Sequence, residues 1–316
     1  MAIIRDLNLQ KKKSIILRNI TNKQPIKKTY KHEQDINQVL SHLTCNENLL
    51  LERQEETCIK DITMYQEYIE HIFKHFKDIE NKTNIDPNYM SFQDELTWSM
   101  RELLVDWMVD AHCKLELATE TLFLSINIID RFLSLRTVSV AKLQLVGITS
   151  LMIASKYEEV VCPTIDTFAS LSETEIYEEE IIKAEKYMLH VLDYRLEYSS
   201  PLNFLRKNIK FKKNGILIQS IGKYLLEMSM HFQEYLLYPG SMLAASAMSI
   251  AYDMIQGSES KNSFFVFSYY KPEEIKSCVD WMINLLNKKT KYENLIKKYS
   301  STDEIGAIKY IEMYEK

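Results

Sequence analysis

Between Ile59 and Phe76 the apolar positions Ile62, Tyr65, Ile69, Ile72, Phe73 and Phe76 recur at helical spacing, which predicts one helix ahead of the main body. The block from Met100 to Lys114 is denser. On a wheel of about 100° per residue, Leu103, Trp107, Met100, Ala111, Leu104, Met108, Val105 and Val109 cover an arc of roughly 240°, where a surface helix needs little more than 100°. Such a helix is either enclosed by neighbours or leaves an apolar strip exposed for a partner, and Asp106 and Asp110 show that it is not wholly enclosed.

Arg101 falls inside that apolar arc, where an unpaired guanidinium is costly. The next helix, with Thr119 as its expected N-cap and its end near Leu135, places Asp130 on its own apolar side between Ile126 and Phe123. A structural ion pair between Arg101 and Asp130 is the expectation; the alternative is that each reaches water separately. A third helix, from about Ser139 to Tyr157, carries no charge between Leu143 and Ser155 and reads as the centre of a bundle. A short fourth helix is expected over Ile165 to Leu171. The fifth opens with Ser172 and Glu175 in capping-box spacing, carries Glu178 to Glu180 early and buries Ile181, Ala184, Met188, Val191 and Leu192.

A shift of 97 residues carries Leu151, Ile153 and Ala154 onto Met248, Ile250 and Ala251, and Leu124, Ile128 and Ile129 onto Ile221, Leu225 and Leu226. One offset aligning two helices marks the second half as a worn copy of the first, with the boundary near Ser199-Ser200-Pro201. The expected organisation is a flexible basic arm over 1–54, an N-terminal helix and first domain over 55–198, and a second domain over 199–316.

Composition agrees with helices. Among 316 residues there are only 6 Gly and 6 Pro, too few for a turn-dense β fold. The five cysteines, Cys45, Cys58, Cys113, Cys162 and Cys278, are scattered and odd in number, which suits a reducing compartment, and no apolar run reaches the roughly 18 residues of a membrane span. Nucleus and cytoplasm are the expected locations. Nine Lys/Arg against Asp6 alone give residues 1–32 a net charge of +8, which leaves about −13 for the rest of a chain at −5. An acidic body argues against a nucleic-acid-binding core, so nucleic acid is not an expected partner, and without a spanning run neither is a membrane. Lys11 to Lys13 and Lys27-Lys28 fit an import signal or a solvated tail.

Catalytic signatures are missing. No phosphate-binding, dinucleotide, zinc-protease, nucleophile-elbow or paired-aspartate motif occurs; His71 and His75 stand four apart on the first helix, without a carboxylate or Cys to complete a metal set. The chain is expected not to be an enzyme and to need no metal or other cofactor.

Several runs resemble the cyclin box of a B-type, G2/mitotic cyclin. They are Tyr89-Met90, Asp94-Glu95-Leu96-Thr97, Met100-Arg101-Glu102-Leu103-Leu104-Val105-Asp106-Trp107, Glu120-Thr121-Leu122, Ile128-Ile129-Asp130-Arg131-Phe132-Leu133, Leu143-Gln144-Leu145-Val146-Gly147-Ile148, Ala154-Ser155-Lys156-Tyr157-Glu158-Glu159 and Pro201-Leu202-Asn203-Phe204-Leu205-Arg206. Lys223-Tyr224-Leu225-Leu226-Glu227 adds to the likeness, which covers roughly residues 60 to 316. The resemblance implies an all-α fold of two tandem five-helix cyclin-box bundles preceded by an N-terminal helix. It also implies a regulatory subunit that binds and activates a cyclin-dependent protein kinase at the G2/M transition of the cell cycle.

By that resemblance Lys156 and Glu185 grip the kinase, with Tyr157, Glu158, Glu159, Leu189 and Tyr194 around them. Taken alone, Lys156 is equally a cation at a helix C-terminus and Glu185 a charge on a solvated face. The resemblance also implies a patch that captures short linear motifs of substrates and inhibitors, made here of Met100, Leu103, Leu104, Trp107, Asp110 and Gln144; plain core packing is the alternative. Glu102 replaces the family's usual Ala or Gly beside it, so motif preference is expected to change. The arm departs from the family: Arg5, Arg18 and Arg53 are followed three residues later by Asn8, Thr21 and Glu56, so no destruction box is evident. A transcription-type cyclin-box scaffold binding polymerase or nucleic acid is the alternative function, and an all-helical prenyl transferase stands third.

Overall fold

The computed structural model describes residues 68–83, 85–172, 176–207, 215–256, 270–287, 292–301 and 311, all within one unit formed by residues 54–316. The basic arm expected over residues 1–54, Cys45, Cys58 and the predicted start of the first helix at Ile59 lie outside the described residues. The described residues form helices and no strand: α1 (Ile69–Lys82), α2 (Trp98–Lys114), α3 (Thr119–Leu135), α4 (Val140–Glu158), α5 (Ile165–Ala169), α6 (Glu178–Val191), α7 (Pro201–Lys207), α8 (Gly215–Ser229), α9 (Gly240–Gln256), α10 (Pro272–Asn287) and α11 (Glu293–Ser301). Two single-turn 3-10 helices, Tyr89–Phe92 and Gln233–Leu237, lie between them.

The two bundles expected from the sequence are present, α2–α6 and then α7–α11, with α1 ahead of both. Each is built round a helix that is apolar on most sides. In the first, α3 is buried without a break from Thr121 to Asp130 and α4 from Leu145 to Ser155. In the second, α9 takes the central place between α7, α8 and α10. Adding 97 to the bounds of α3, α4 and α6 lands within three residues of the bounds of α8, α9 and α10. Small residues let the centre close up: a Cβ built on Gly147 of α4 would stand 2.9 Å from Leu104 Cδ1 of α2, and one on Gly222 of α8 would stand 2.8 Å from Leu205 Cδ1 of α7.

Two local expectations are corrected. Thr119 is the first residue of α3 and not its cap; Ala118 holds the cap position, and the capping oxygen comes from far along the chain. Glu159, just past α4, accepts from the Ala118 N–H at 2.7 Å and the Thr121 hydroxyl at 2.5 Å, placing a carboxylate at the positive end of the α3 dipole. Nor does the fifth helix open at Ser172: α6 starts at Glu178 behind Tyr177, with three glutamates in its first turn. The Ser172 hydroxyl donates to Gln144 Oε1 at 3.1 Å, and Glu175, the other half of the expected capping box, lies outside the described residues. The first helix, α1, runs past Phe76 to Lys82, and Lys77 and Glu80 in its last turns both have partners in the second bundle.

Those partners seat α1. The Lys77 ammonium donates to Glu80, Ser241 and Tyr270, each at 2.8 Å, and the Glu80 carboxylate accepts from the Ser241 N–H at 2.7 Å. Phe73 and Phe76 pack on Phe204 of α7 with ring centroids 6.3 and 6.2 Å away. Ring pairs at such spacing contribute about 0.5–1.5 kcal/mol beyond buried area.

Candidate partner-binding surfaces

A buried polar node fixes the helix that carries the first candidate surface. Arg101 of α2 donates from Nε and Nη2 to the two oxygens of Asp130 on α3, both at 2.7 Å, and the Tyr89 hydroxyl donates to the same carboxylate at 2.7 Å. Arg101 also donates from Nη1 to the Met230 carbonyl at 2.8 Å, so one guanidinium ties α2 to its own bundle and to the second. Burial alone would lower the Arg101 pKa, but the adjoining carboxylate holds it above its ordinary value; burial and Asp130 together raise that of Tyr89.

With α2 so held, its outer face carries Leu103, 71% exposed, flanked by half-buried Met100 and Trp107. Leu104 is buried beneath them against Gly147, so it supports this face from below. Asp110 pairs with Lys114 at 2.6 Å, and Gln144 on α4 accepts from Ser172. Along the other edge the second bundle takes hold. The Tyr292 hydroxyl donates to Glu102, and Asn294 Nδ2 donates to Asp106 Oδ2 at 3.0 Å. Burial raises the Asp106 pKa, and Asp110, Glu293 and Glu102 add to the rise, which marks four carboxylates converging on this edge.

The second surface lies on α4 and α6, which pack together. Lys156, in the last turn of α4, meets Glu185 of α6 with Nζ and Oε1 2.5 Å apart; the lysine is half exposed and the glutamate mostly covered. Tyr157 and Glu158 follow as exposed residues, whereas the carboxylate of Glu159 turns to cap α3. Burial, then the neighbouring Glu159, raises the Glu158 pKa. Leu189 lies one turn beyond Glu185, and the exposed Tyr194 follows the end of α6.

Val160 and Val161 were not singled out from the sequence, yet they project from the loop behind Glu159 at 101% and 82% exposure. Ile182, also exposed, joins the Glu185–Leu189 stripe. Two valines outside any helical period, directly after Lys156-Tyr157-Glu158-Glu159, were the available signal. Among the described residues no group of three or more His, Cys, Asp or Glu could hold a metal, no helix is long and apolar enough to cross a membrane, and Cys113, Cys162 and Cys278 are free.

Residues 71–197 match the family model "Cyclin, N-terminal domain" and residues 199–313 match "Cyclin, C-terminal domain". The chain is 43% identical over 241 residues to the G2/mitotic-specific cyclin cdc13 of Schizosaccharomyces pombe, covering 76% of this chain and 50% of that protein. It is 37% identical over 243 residues to the G2/mitotic-specific cyclin-B of Emericella nidulans, covering 77% and 51%. The chain thus spans about half the length of these curated relatives. Its fold is similar to the X-ray structure of a viral cyclin from herpesvirus saimiri, with a TM-score of 0.58 at 17% identity over 77% of this chain and 99% of that one. Two adjoining domain matches over one repeated helical architecture, together with these identities, show that the chain belongs to the cyclin family, within its B-type, G2/mitotic group.

Proposed function

We propose that this chain is the regulatory subunit of a cyclin-dependent protein kinase acting at the G2/M transition, with Lys156 and Glu185 at the centre of the kinase-binding surface. The observation that carries the reading is the pairing of those two side chains at 2.5 Å on a surface otherwise edged by solvent-exposed Tyr157, Val160, Val161 and Tyr194. An exposed ion pair contributes little to the fold, about 0–1 kcal/mol, whereas a fixed cation and carboxylate amid uncovered apolar groups suit a protein partner. Bound there, the chain favours the active arrangement of the kinase and shifts its population toward it, and all catalysis belongs to the kinase. The names of the relatives support the same reading.

A second part of the proposal concerns Met100, Leu103, Trp107, Asp110 and Gln144, above Leu104, as a docking patch for short linear motifs of substrates and inhibitors. Leu103 is the support: a leucine 71% exposed on a helix otherwise packed on both bundles. The reading places the protein in nucleus and cytoplasm.

The test is reconstitution with a purified mitotic kinase and histone phosphorylation as readout. The wild-type chain is expected to stimulate the kinase, and Lys156→Ala with Glu185→Ala to abolish stimulation while leaving the unfolding temperature within a degree or two. Stimulation that survives the double substitution removes the surface assignment, and a wild-type chain that gives none removes the function.

A further inference from the structure

α6 ends at Val191, and two consecutive residues behind it, Asp193 at φ 53° and Tyr194 at φ 56°, adopt the left-handed backbone region. One such residue is ordinary after a helix, and the bonds that accompany it are present: the Tyr194 N–H donates to the Leu189 carbonyl at 2.9 Å and the Asp193 N–H to His190 at 3.1 Å. Two in succession without a glycine are not ordinary, and for an aromatic residue the conformation is a steric outlier.

Something must hold it. The Arg195 N–H donates to the Leu192 carbonyl at 3.1 Å, and Arg131 reaches from α3 to donate from Nη2 to the Arg195 carbonyl at 2.7 Å. Arg131 is half buried there, and its Nη1 is enclosed without a hydrogen-bond partner. The turn is therefore locked from a neighbouring helix at some expense to the guanidinium. What it presents adds nothing visible to the fold: the Tyr194 side chain is 68% exposed and, among the described residues, makes no hydrogen bond or ring contact. Strain that is held in place at an exposed aromatic residue points to use by a partner.

We propose that Arg131 is a positioning residue, which locks the Asp193–Tyr194 turn so that Tyr194 stands ready as an aromatic anchor for an apolar hollow on the partner bound over Lys156 and Glu185. The inference rests on the kinase reading given above and adds how that surface is prepared. A side chain fixed before encounter loses less freedom on binding, so strain borne by the free protein is returned as affinity.

Titration of each purified variant against the kinase, with calorimetric melting of the same variants, tests this. Tyr194→Gly removes the ring and the steric conflict together, so it should weaken binding at least tenfold while raising the melting temperature. Tyr194→Ala removes the ring and keeps the conflict; binding should weaken equally with no rise in melting temperature. Arg131→Lys should weaken binding severalfold when Tyr194 is present and have no further effect in the Tyr194→Ala background, a non-additivity that a purely structural arginine would not produce. Asp193→Gly, which keeps the ring, gives a second route to a loosened turn and should weaken binding severalfold with a raised melting temperature. Tyr194 variants that bind like wild type, or additive losses from Arg131 and Tyr194, overturn the anchor while leaving the kinase reading intact. A wild-type chain that does not bind the kinase overturns both.

Discussion

Asp130 and Glu227 stand 97 residues apart at the same place in the two repeats, and both are buried carboxylates that accept from one tyrosine hydroxyl and one cation. Asp130 is served by Tyr89 and Arg101, and Glu227 by Tyr299 at 2.9 Å and by Lys298 at 2.8 Å to each oxygen. The repeat has kept the acid and replaced the base. Position 198, where the offset would carry Arg101, holds Tyr198, and α11 folds back to supply the missing cation and hydroxyl.

The two nodes differ in what their loss exposes. Asp130→Asn leaves Arg101, 1% exposed, with a neutral partner and no route to water, so it should lower stability by about 3–5 kcal/mol. Glu227→Gln leaves Lys298, 13% exposed and able to swing outward, and should cost about 1–3 kcal/mol. Urea unfolding of the two variants beside wild type checks the order. Equal losses would mean that α11 is as closed to water as α2.

Much of this was legible because helical periodicity is local. The bounds of α2, α3 and α4, the repeat offset and the need of Arg101 for an acidic partner all follow from which residues share a helix face. Contacts closed by distant loops were not legible. Glu159 reads as one more acid in Lys156-Tyr157-Glu158-Glu159 until α4 brings it to Ala118, and Thr119 looked like a cap only because Ser and Thr usually serve when no other oxygen is near. Glu102 was recognised as a departure, but its partner Tyr292 lies 190 residues away and no spacing rule connects them.

Gly147 and Gly222 offer a matched pair. A methyl group at either meets the terminal carbon of one leucine, Leu104 at 2.9 Å or Leu205 at 2.8 Å, so each alanine variant should lose about 1–2 kcal/mol as that leucine gives way. Only Leu104 underlies the exposed face of α2, and the new methyl also comes 3.4 Å from Trp107 Cζ3. Gly147→Ala should therefore weaken binding of motif peptides severalfold, and Gly222→Ala should leave it unchanged, as read by fluorescence anisotropy. Equal weakening by both would trace the effect to general destabilisation.

Stability should fall as the solution is acidified below about pH 6.5. Burial lowers the pKa of His112 and of His231 to about 4; for His112 the nearby Lys298 adds to the fall, and for His231 Arg101 does. Both are depressed in the fold relative to the ordinary 6.5, so their contribution is complete above 6.5 and is lost as pH falls toward 4, at most roughly 3 kcal/mol for each. Asp106 and Glu158, raised chiefly by burial, and Glu178, raised chiefly by its hydrogen bond with Asp166, work the other way, since their protonation favours the fold and opposes part of the histidines' loss. His231 Nδ1 lies 3.2 Å from the carbonyls of Glu227 and Met228 and so carries its proton there, a bond that the amide of His231→Asn can keep. That variant should lose about half of the wild-type drop in melting temperature between pH 7 and pH 5; an unchanged drop would place the titration elsewhere.

The contact between Glu102 and Tyr292 separates a structural cost from a specificity effect. Tyr292 is 7% exposed and its ring stacks on His231 at 3.9 Å, so Tyr292→Phe keeps the packing and removes only the donor, leaving a half-buried carboxylate that water can serve. The loss should be about 1 kcal/mol. Glu102→Ala installs a better helix former, yet it strands the Tyr292 hydroxyl in the junction between the bundles and should cost more, about 1–3 kcal/mol. Motif binding should follow the opposite logic. The charge beside Leu103 survives Tyr292→Phe and disappears in Glu102→Ala, so a peptide series with a lysine or a glutamate next to its apolar anchor should keep its ranking in the first variant and lose it in the second. If both variants rank the peptides like wild type, Glu102 serves only to join the two bundles, and the preference of the patch comes from Asp110 and the apolar residues.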